Sequence, residues 1–149
     1  MESLLPNHTR GGLGGVLRDE QGHFKAAFAL PVCNVASAKH VELLAVKQGL
    51  QLLQSFPNQE VVIETDCLEA TSDIANPGYE MLEFPGVLDD IRTALKAQIE
   101  VKIRFAPRTC NAVAHRLASL GFEDNYNTIW SHVPPDCILD LLQSDRNQM

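Results

Sequence analysis

The spacing of apolar residues changes several times along this chain, and each change predicts a new secondary-structure element. A continuous apolar run at 61–63 is typical of a strand that is covered on both faces. Strict alternation of apolar and polar residues over 100–106 predicts another strand. A glycine-rich segment at 11–18 and the segment at 23–30 are also predicted to be strands. The predicted strands are therefore 11–18, 23–30, 60–65 and 100–106.

Helical spacing of apolar residues predicts four helices, at about 38–55, 68–75, 85–98 and 109–120. Ser37 is suited to cap the first helix, because its side-chain oxygen can accept a hydrogen bond from a free backbone N–H. Thr65 or Asp66 is suited to cap the second helix in the same way. Gly121 is expected to end the fourth helix.

The order of these elements predicts an α/β fold. The first two strands, joined by a turn at 19–22, form an antiparallel hairpin, and strands then alternate with helices. We therefore expect a mixed central β-sheet with helices on both faces. The predicted organisation is a poorly ordered N-terminal segment at 1–10, the domain at 11–121, and a C-terminal tail at 122–149 whose short helix packs on the domain.

Composition narrows the class of protein. The chain has 149 residues, of which 45% are hydrophobic and 21% are charged, as in a soluble globular domain. We find no apolar run that would span a membrane and no signal peptide, so we expect an intracellular protein, cytoplasmic or nuclear. The four cysteines are far apart in the sequence, which argues against a zinc site and favours reduced thiols.

Charge is unevenly distributed along the chain. The net charge is −7, yet the stretch 92–116 carries six basic residues against the single acid Glu100. The preceding stretch, 60–90, carries nine acidic residues and no lysine or arginine. The basic stretch indicates either ordinary solvated faces or a surface that faces phosphate groups, and charge alone does not separate these interpretations.

Glu42 is a carboxylate on a stripe of small apolar residues. Its neighbours at helical spacing are Ala38, Ala45 and Val46. A buried carboxylate needs a cation, a metal ion or water. The alternative is that Glu42 lies at the edge of the stripe and reaches solvent.

Asp66 directly follows a predicted buried strand. In open α/β sheets, ligands bind at the carboxyl ends of the strands. Helix capping is the commoner role of an aspartate at such a junction, so capping and catalysis both remain open for Asp66.

Arg108, Asn111 and His115 are spaced so that they share one side of the last predicted helix. This polar stripe begins directly after a strand, close to where Asp66 should lie if the two strands are neighbours. The alternative is a solvent-facing stripe on which His115 is a surface or hydrogen-bonded histidine.

Together these residues resemble the ribonuclease H superfamily, and in particular the plant ribonuclease H-like domain derived from retrotransposons. The likeness covers nearly the whole chain from Gly11. It rests on GGLGGVLRDEQGHFKAAFAL, VELLAVKQGL around Glu42, EVVIETD with Asp66, PRTCNAVAHRLASLG with His115, and a tail with Pro134-Pro135 and ILDLL.

The resemblance implies a nuclease that cuts the RNA strand of an RNA–DNA hybrid with two divalent ions, Mg²⁺ or Mn²⁺. Glu42 matches the family's helix glutamate and Asp66 the aspartate that ends the fourth strand of the family, so both are the expected metal ligands. His115 stands at the family's last catalytic position, where the plant group commonly has histidine. Glu42, Asp66 and His115 are therefore the expected catalytic residues, and Arg104, Arg108 and Asn111 the residues expected to bind nucleic acid.

This chain departs from the family pattern at its first strand. The family's first catalytic aspartate precedes the glycine-rich hairpin, but the segment MESLLPNHTR contains no aspartate, and we expect most of that strand to be missing. Glu42 and Asp66 alone supply only two negative charges towards two divalent ions. The alternatives to a nuclease are therefore an inactive nucleic-acid-binding module and a protein-interaction module.

Overall fold

The structure of the chain is a computed structural model. It describes residues 10–19, 21–55, 60–65, 67–78, 81–97, 101–106, 111–124 and 127–142. Asp66, Arg108 and the N-terminal segment up to residue 9 lie outside the described residues.

The described chain contains strands and helices in the predicted order. The strands are β1 (Gly11–Arg18), β2 (Phe24–Val32), β3 (Val61–Thr65), β4 (Val101–Phe105) and β5 (Thr128–Ser131). The helices are α1 (Ala38–Leu53), α2 (Leu68–Ala75), α3 (Pro85–Ala97) and α4 (Ala112–Glu123). Every strand and helix predicted over 11–121 is present, whereas β5 was not predicted.

The α/β class and the antiparallel hairpin are confirmed. Strands β1 and β2 are antiparallel, with Gly11 opposite Val32, and β5 adds antiparallel to the other edge of β2. Strands β3 and β4 pair in parallel, with Ile63 opposite Ile103. Among the described residues the strands form two separate ladders rather than one continuous sheet, because β1 and β3 are not hydrogen-bonded to each other.

Two apolar cores cover the two faces of the β1–β2–β5 sheet. On one face Leu13, Leu17 and Phe28 pack with α1, and this core continues to α2, α3 and the inner face of β3 and β4. On the other face Ala27 and Ala29 pack against Val113, Leu117, Ile138 and Leu142. Adjacent residues of the sheet thus serve opposite cores, as the two-residue period of a strand requires.

The backbone of helix α4 packs directly against the backbones of β1 and β2, because glycines in this interface carry no side chain. A Cβ atom on Gly12 would lie 2.0 Å from the carbonyl oxygen of Ala118, and one on Gly14 would lie 2.1 Å from the Ala118 nitrogen. On the helix side, a Cβ on Gly121 would lie 2.5 Å from the carbonyl oxygen of Leu30. The prediction that Gly121 ends the helix is wrong: α4 continues to Glu123, and Gly121 is needed for close packing.

The other predicted helix caps have mixed outcomes. Ser37 caps α1 as predicted, since its hydroxyl accepts a hydrogen bond from the backbone N–H of His40. Cys67 occupies the N-cap position of α2 without a side-chain cap bond, so neither Thr65 nor Asp66 takes that position. In the described part of the chain, no helix has both the length and the apolar character needed to cross a bilayer.

Candidate functional site

A groove separates the two ladders. It has a volume of about 220 Å³ and is bordered by β1, β3, α1 and α4. Four of the residues singled out from the sequence fall within the described ranges, and all four line this groove: Glu42, Arg104, Asn111 and His115. The fold therefore brings together side chains that are remote from one another in the sequence.

Glu42 is positioned by α1 and by the end of β3. The Thr65 hydroxyl donates a hydrogen bond to Glu42 Oε2 at 3.1 Å. Glu42 is partly buried, whereas Thr65 is only 3% exposed. The carboxylate therefore points to the carboxyl end of β3 and is not simply a solvent-facing group at the edge of the helix.

Thr65 is a groove residue that sequence reasoning had considered only as a helix cap. Its hydroxyl bonds Glu42 and also accepts a hydrogen bond from the backbone N–H of Cys67 at 3.1 Å. This second bond fixes the hydroxyl proton towards Glu42. A polar residue at the end of an otherwise apolar strand was the available signal, but its partner is 23 residues away.

Asp66, the next residue after Thr65, lies outside the described residues, so its predicted role stays a prediction. The residues on both sides of it have defined contacts, since Thr65 bonds Glu42 and Cys67 is the N-cap residue of α2.

Helix α4 supplies the opposite wall of the groove. His115 is partly buried and lines the groove together with Ala114 and Ala118. Asn111 is the N-cap residue of α4, and its side-chain N–H donates to the carbonyl oxygen of Ala106 at 3.3 Å. Asn111 thus ties the start of α4 to the end of β4, next to the groove.

Arg104 borders the groove on β4 and is paired across the ladder. Its Nη2 lies 2.8 Å from Glu64 Oε2, and its side chain is 62% exposed. Exposure leaves the guanidinium accessible, while Glu64 offsets its charge. Arg108, the second predicted arginine, lies outside the described residues.

Three described arginines of the basic stretch have different partners. Arg92 on α3 donates to the carbonyl oxygen of Asn76, and Arg116 on α4 donates to Cys137 and pairs with Asp140. Arg92 and Arg116 therefore make contacts within the fold. Of the described basic residues in the stretch, only Arg104 lines the groove. The stretch could be either ordinary solvated faces or a surface that faces phosphate groups, and on the second interpretation Arg104 on β4 is the described residue at the groove.

At the far end of the groove, Asp19 closes the β1–β2 turn. The backbone N–H groups of His23 and Gln21 donate to Asp19 Oδ1 at 2.8 and 2.9 Å. The bond from the His23 backbone is the main reason that the pKa of Asp19 is lowered, because it favours the carboxylate form. Asp19 thus serves the turn rather than the groove.

The donor set of the groove fits a hard divalent cation only in part. Carboxylate and hydroxyl oxygens are suitable ligands for Mg²⁺ and Mn²⁺, and Glu42 and Thr65 provide them at one point. Among the residues that the structure describes, no three His, Cys, Asp or Glu side chains converge as a metal site would require. An ion here would need the carboxylate of Asp66 in addition to that of Glu42.

Comparisons with solved structures concern the fold. The chain is similar over 76% of its length to a crystal structure of native prototype foamy virus protease–reverse transcriptase, with a TM-score of 0.53 and 16% identity. A selenomethionine-labelled mutant of that protein matches 85% of the chain with a TM-score of 0.53 and 15% identity. The chain spans only 20% of each of these proteins, and at such identities the likeness establishes the fold alone. No curated protein matches.

A sequence profile named "Reverse transcriptase-like" matches residues 3–121. This match includes β1 to β4, α1, α2, α3 and most of α4, and hence every wall of the groove. The profile and the fold confirm the ribonuclease H-like part of the resemblance and do not test its plant origin. The chain belongs to the reverse transcriptase-like family and is an RNase H-like domain.

Proposed function

We propose that this domain binds an RNA–DNA hybrid along the groove and hydrolyses the RNA strand with a divalent metal ion held by Glu42 and Asp66. The observation that carries the proposal is the contact between Glu42 and Thr65, which places the α1 carboxylate at the strand end from which Asp66 follows. His115 lines the same groove from α4.

The residues of this chain would divide the work as follows. Glu42 and Asp66 supply the negative charge, and Thr65 orients Glu42 through its hydroxyl hydrogen bond. Divalent ions held there would activate water and stabilise the leaving oxygen of the phosphodiester, one ion for each role. His115 is proposed to exchange a proton with the substrate, and Arg104, Arg108 and Asn111 are proposed to contact the phosphate backbone.

The attraction between one carboxylate and a divalent ion indicates how strongly metal binding depends on Glu42. A carboxylate about 4 Å from a divalent ion gains roughly 8 kcal/mol at an effective dielectric constant of 20, before desolvation is subtracted. Removing the charge of Glu42 should therefore abolish metal binding.

Cleavage of a labelled RNA–DNA hybrid in the presence of Mg²⁺ or Mn²⁺ tests the proposal. We expect the parent protein to cut the RNA strand and Glu42→Gln to lose at least about a hundredfold in rate, as for the loss of a group that acts in the transition state. Glu123→Gln, an exposed change at the end of α4, is the control that should retain activity. Cleavage that survives Glu42→Gln would refute the proposed centre.

A second candidate function is binding of nucleic acid without hydrolysis. It is supported by the segment MESLLPNHTR, which lacks the aspartate that the family has before its glycine-rich hairpin. The two functions differ in one result: a hybrid that is bound but not cut by the parent protein supports the binding module.

The role of the arginines at phosphate groups can be measured through the salt dependence of hybrid binding. We expect Arg104→Glu combined with Arg108→Glu to weaken binding and to lower the slope of log K against log salt by about 1 for each phosphate that is no longer neutralised. Lys96→Glu on α3, which does not border the groove, is the matched control. An unchanged slope in the double variant would exclude these arginines from the interface.

A further inference from the structure

The outer face of the β3–β4 ladder, which is the face turned away from α1, carries an ion pair beside the groove. Successive residues of a strand point to opposite faces. Thr65 points to Glu42 on α1, so Glu64, the residue before it, points to the outer face. Val62 lies on the same outer face and is 42% exposed, so solvent reaches this face.

The pair consists of Glu64 and Arg104, which stand opposite each other in the register of β3 and β4 and both line the groove. Arg104 Nε and Nη2 each lie 2.8 Å from Glu64 Oε2. Because both nitrogen atoms reach the same oxygen, the second carboxylate oxygen, Oε1, keeps its capacity to accept a hydrogen bond. The guanidinium group likewise keeps N–H donors, since it has five of them.

Both partners of the pair are accessible to a ligand in the groove. The side chain of Arg104 is 62% exposed and that of Glu64 is 26% exposed. A phosphate that binds Arg104 therefore comes close to the negative charge of Glu64, and this repulsion weakens its binding. A ligand that also brings an O–H donor to Glu64 replaces the repulsion with a hydrogen bond to a charged acceptor.

Ribose provides this combination of groups, whereas deoxyribose does not. In RNA the 2′-hydroxyl lies on the carbon next to the one that bears the 3′-phosphate, and it is the group by which a protein distinguishes RNA from DNA at a given position. Against a DNA strand the Glu64 carboxylate would face C–H groups and lose water without gaining a hydrogen bond. An RNA strand therefore satisfies both members of the pair, and a DNA strand satisfies only Arg104.

We infer that the Glu64–Arg104 pair selects the RNA strand, with Arg104 binding a backbone phosphate while Glu64 accepts a hydrogen bond from the neighbouring 2′-hydroxyl. This inference rests on the hybrid binding that is part of the proposed function. It needs no metal ion, because Glu64 points to the opposite face of β3 from the contact between Thr65 and Glu42. Selection can therefore be measured as binding, without hydrolysis.

The probes are two duplexes of the same base sequence. One is an RNA–DNA hybrid, and the other is the same hybrid with fluorine in place of every 2′-hydroxyl. The fluorinated strand keeps the sugar pucker of RNA but cannot donate a hydrogen bond, so it controls for duplex shape. Fluorescence anisotropy in buffer with EDTA gives the Kd of each duplex. We expect the parent protein to bind the RNA–DNA hybrid about tenfold more tightly, the effect of one hydrogen bond to a charged group.

Glu64→Ala removes the acceptor and is expected to bind both duplexes with equal affinity. Its affinity for the fluorinated duplex should rise above that of the parent, because the repulsion of phosphate is gone, and damaged folding cannot produce such a gain. Glu60→Ala is the matched control, since Glu60 also lines the groove and its loss removes the same charge. Glu60→Ala should keep the preference for the RNA–DNA hybrid.

The results separate this inference from the proposed nuclease. A preference that persists in Glu64→Ala would overturn the inference, and so would a parent protein that binds both duplexes equally; cleavage of the hybrid by that parent with Mg²⁺ would then leave the nuclease standing. A preference that is lost in Glu64→Ala, without cleavage by the parent, would support the inference and refute only hydrolysis. A parent protein that binds neither duplex would overturn both.

Discussion

At the scale of single residues, missing Cβ atoms determine how the walls of the groove approach each other. Gly12 and Gly14 let the backbone of α4 lie directly on β1, and Ala114 and Ala118 are the helix residues in contact. Because the clashing atoms would be backbone atoms, a side chain at these positions cannot be accommodated by a rotamer change. The position of His115 on α4 depends on this close approach.

Gly14→Ala should therefore destabilise the domain by about 3 kcal/mol, the upper range of overpacking, since its Cβ would lie 2.1 Å from a backbone nitrogen. Thermal unfolding should show a decrease in Tm of about 10 °C. Gly86→Ala is the matched control, because a Cβ there meets nothing within 4 Å and alanine favours the first turn of α3. A Tm of Gly14→Ala equal to that of the parent would contradict the proposed packing.

At the scale of elements, one lysine joins three parts of the helical layer. Lys39 on α1 contacts Asp73 of α2 at 2.9 Å and Glu83, just before α3, at 3.1 Å. Its side chain is only 14% exposed. The hydrogen bond to Asp73 is the main cause, and that to Glu83 the second, of a raised pKa for Lys39.

Lys39→Met should lower the free energy of unfolding by about 2 kcal/mol at neutral pH, because it leaves Asp73 without its charged partner. Lys47→Met is the control: Lys47 pairs with the more exposed Asp90, so its loss should cost under about 1 kcal/mol. Urea unfolding of both variants provides the measurement. Equal losses of stability would show that the ion pairs of Lys39 add no more than a surface pair.

The raised pKa of Lys39 also sets the sign of a pH effect. Its stabilising contribution is complete below the unfolded-state pKa of 10.5 and is lost as the pH rises towards the folded-state pKa. In strongly alkaline solution the stabilities of Lys39→Met and the parent should therefore converge. A difference that persists undiminished there would be due to packing rather than charge.

At the scale of the whole molecule, the groove lies between two ladders. Both ladders pack on α1, but among the described residues no strand of one is hydrogen-bonded to a strand of the other. Its walls come from the hairpin on one side and from β3 on the other, so a ligand bound by both would stabilise their relative position. Binding to the folded state alone raises the free energy of unfolding in proportion to the logarithm of ligand concentration.

Mn²⁺ should therefore raise the Tm of the parent protein but not that of Asp66→Asn, if Glu42 and Asp66 share an ion. At a concentration of 100 times Kd the expected gain is about 2.7 kcal/mol. Differential scanning fluorimetry across a Mn²⁺ series measures it, with Glu123→Gln as the control that keeps the shift. Equal shifts in Asp66→Asn and the parent would exclude the shared site.

The sequence by itself determined the order and type of the elements, because the period of apolar residues reports which face of each element is buried. It also determined which side chains could carry chemistry, since Glu42 interrupts a small apolar stripe. It did not predict β5, whose short segment around Trp130 gains its strand form by pairing with β2.

Only the tertiary structure decided which of these groups meet. Glu42 bonds Thr65 across 23 residues, and Glu64 pairs with Arg104 across 40. The first contact depends on how α1 settles on β3, and the second on the register of β3 and β4, in which Glu64 stands opposite Arg104. In the same way Gly12, Gly14 and Gly121 decide how closely α4, which carries His115, approaches β1 and β2. Apolar periodicity encodes the buried face of each element, whereas the meeting of polar groups follows from packing between elements that are remote in the sequence.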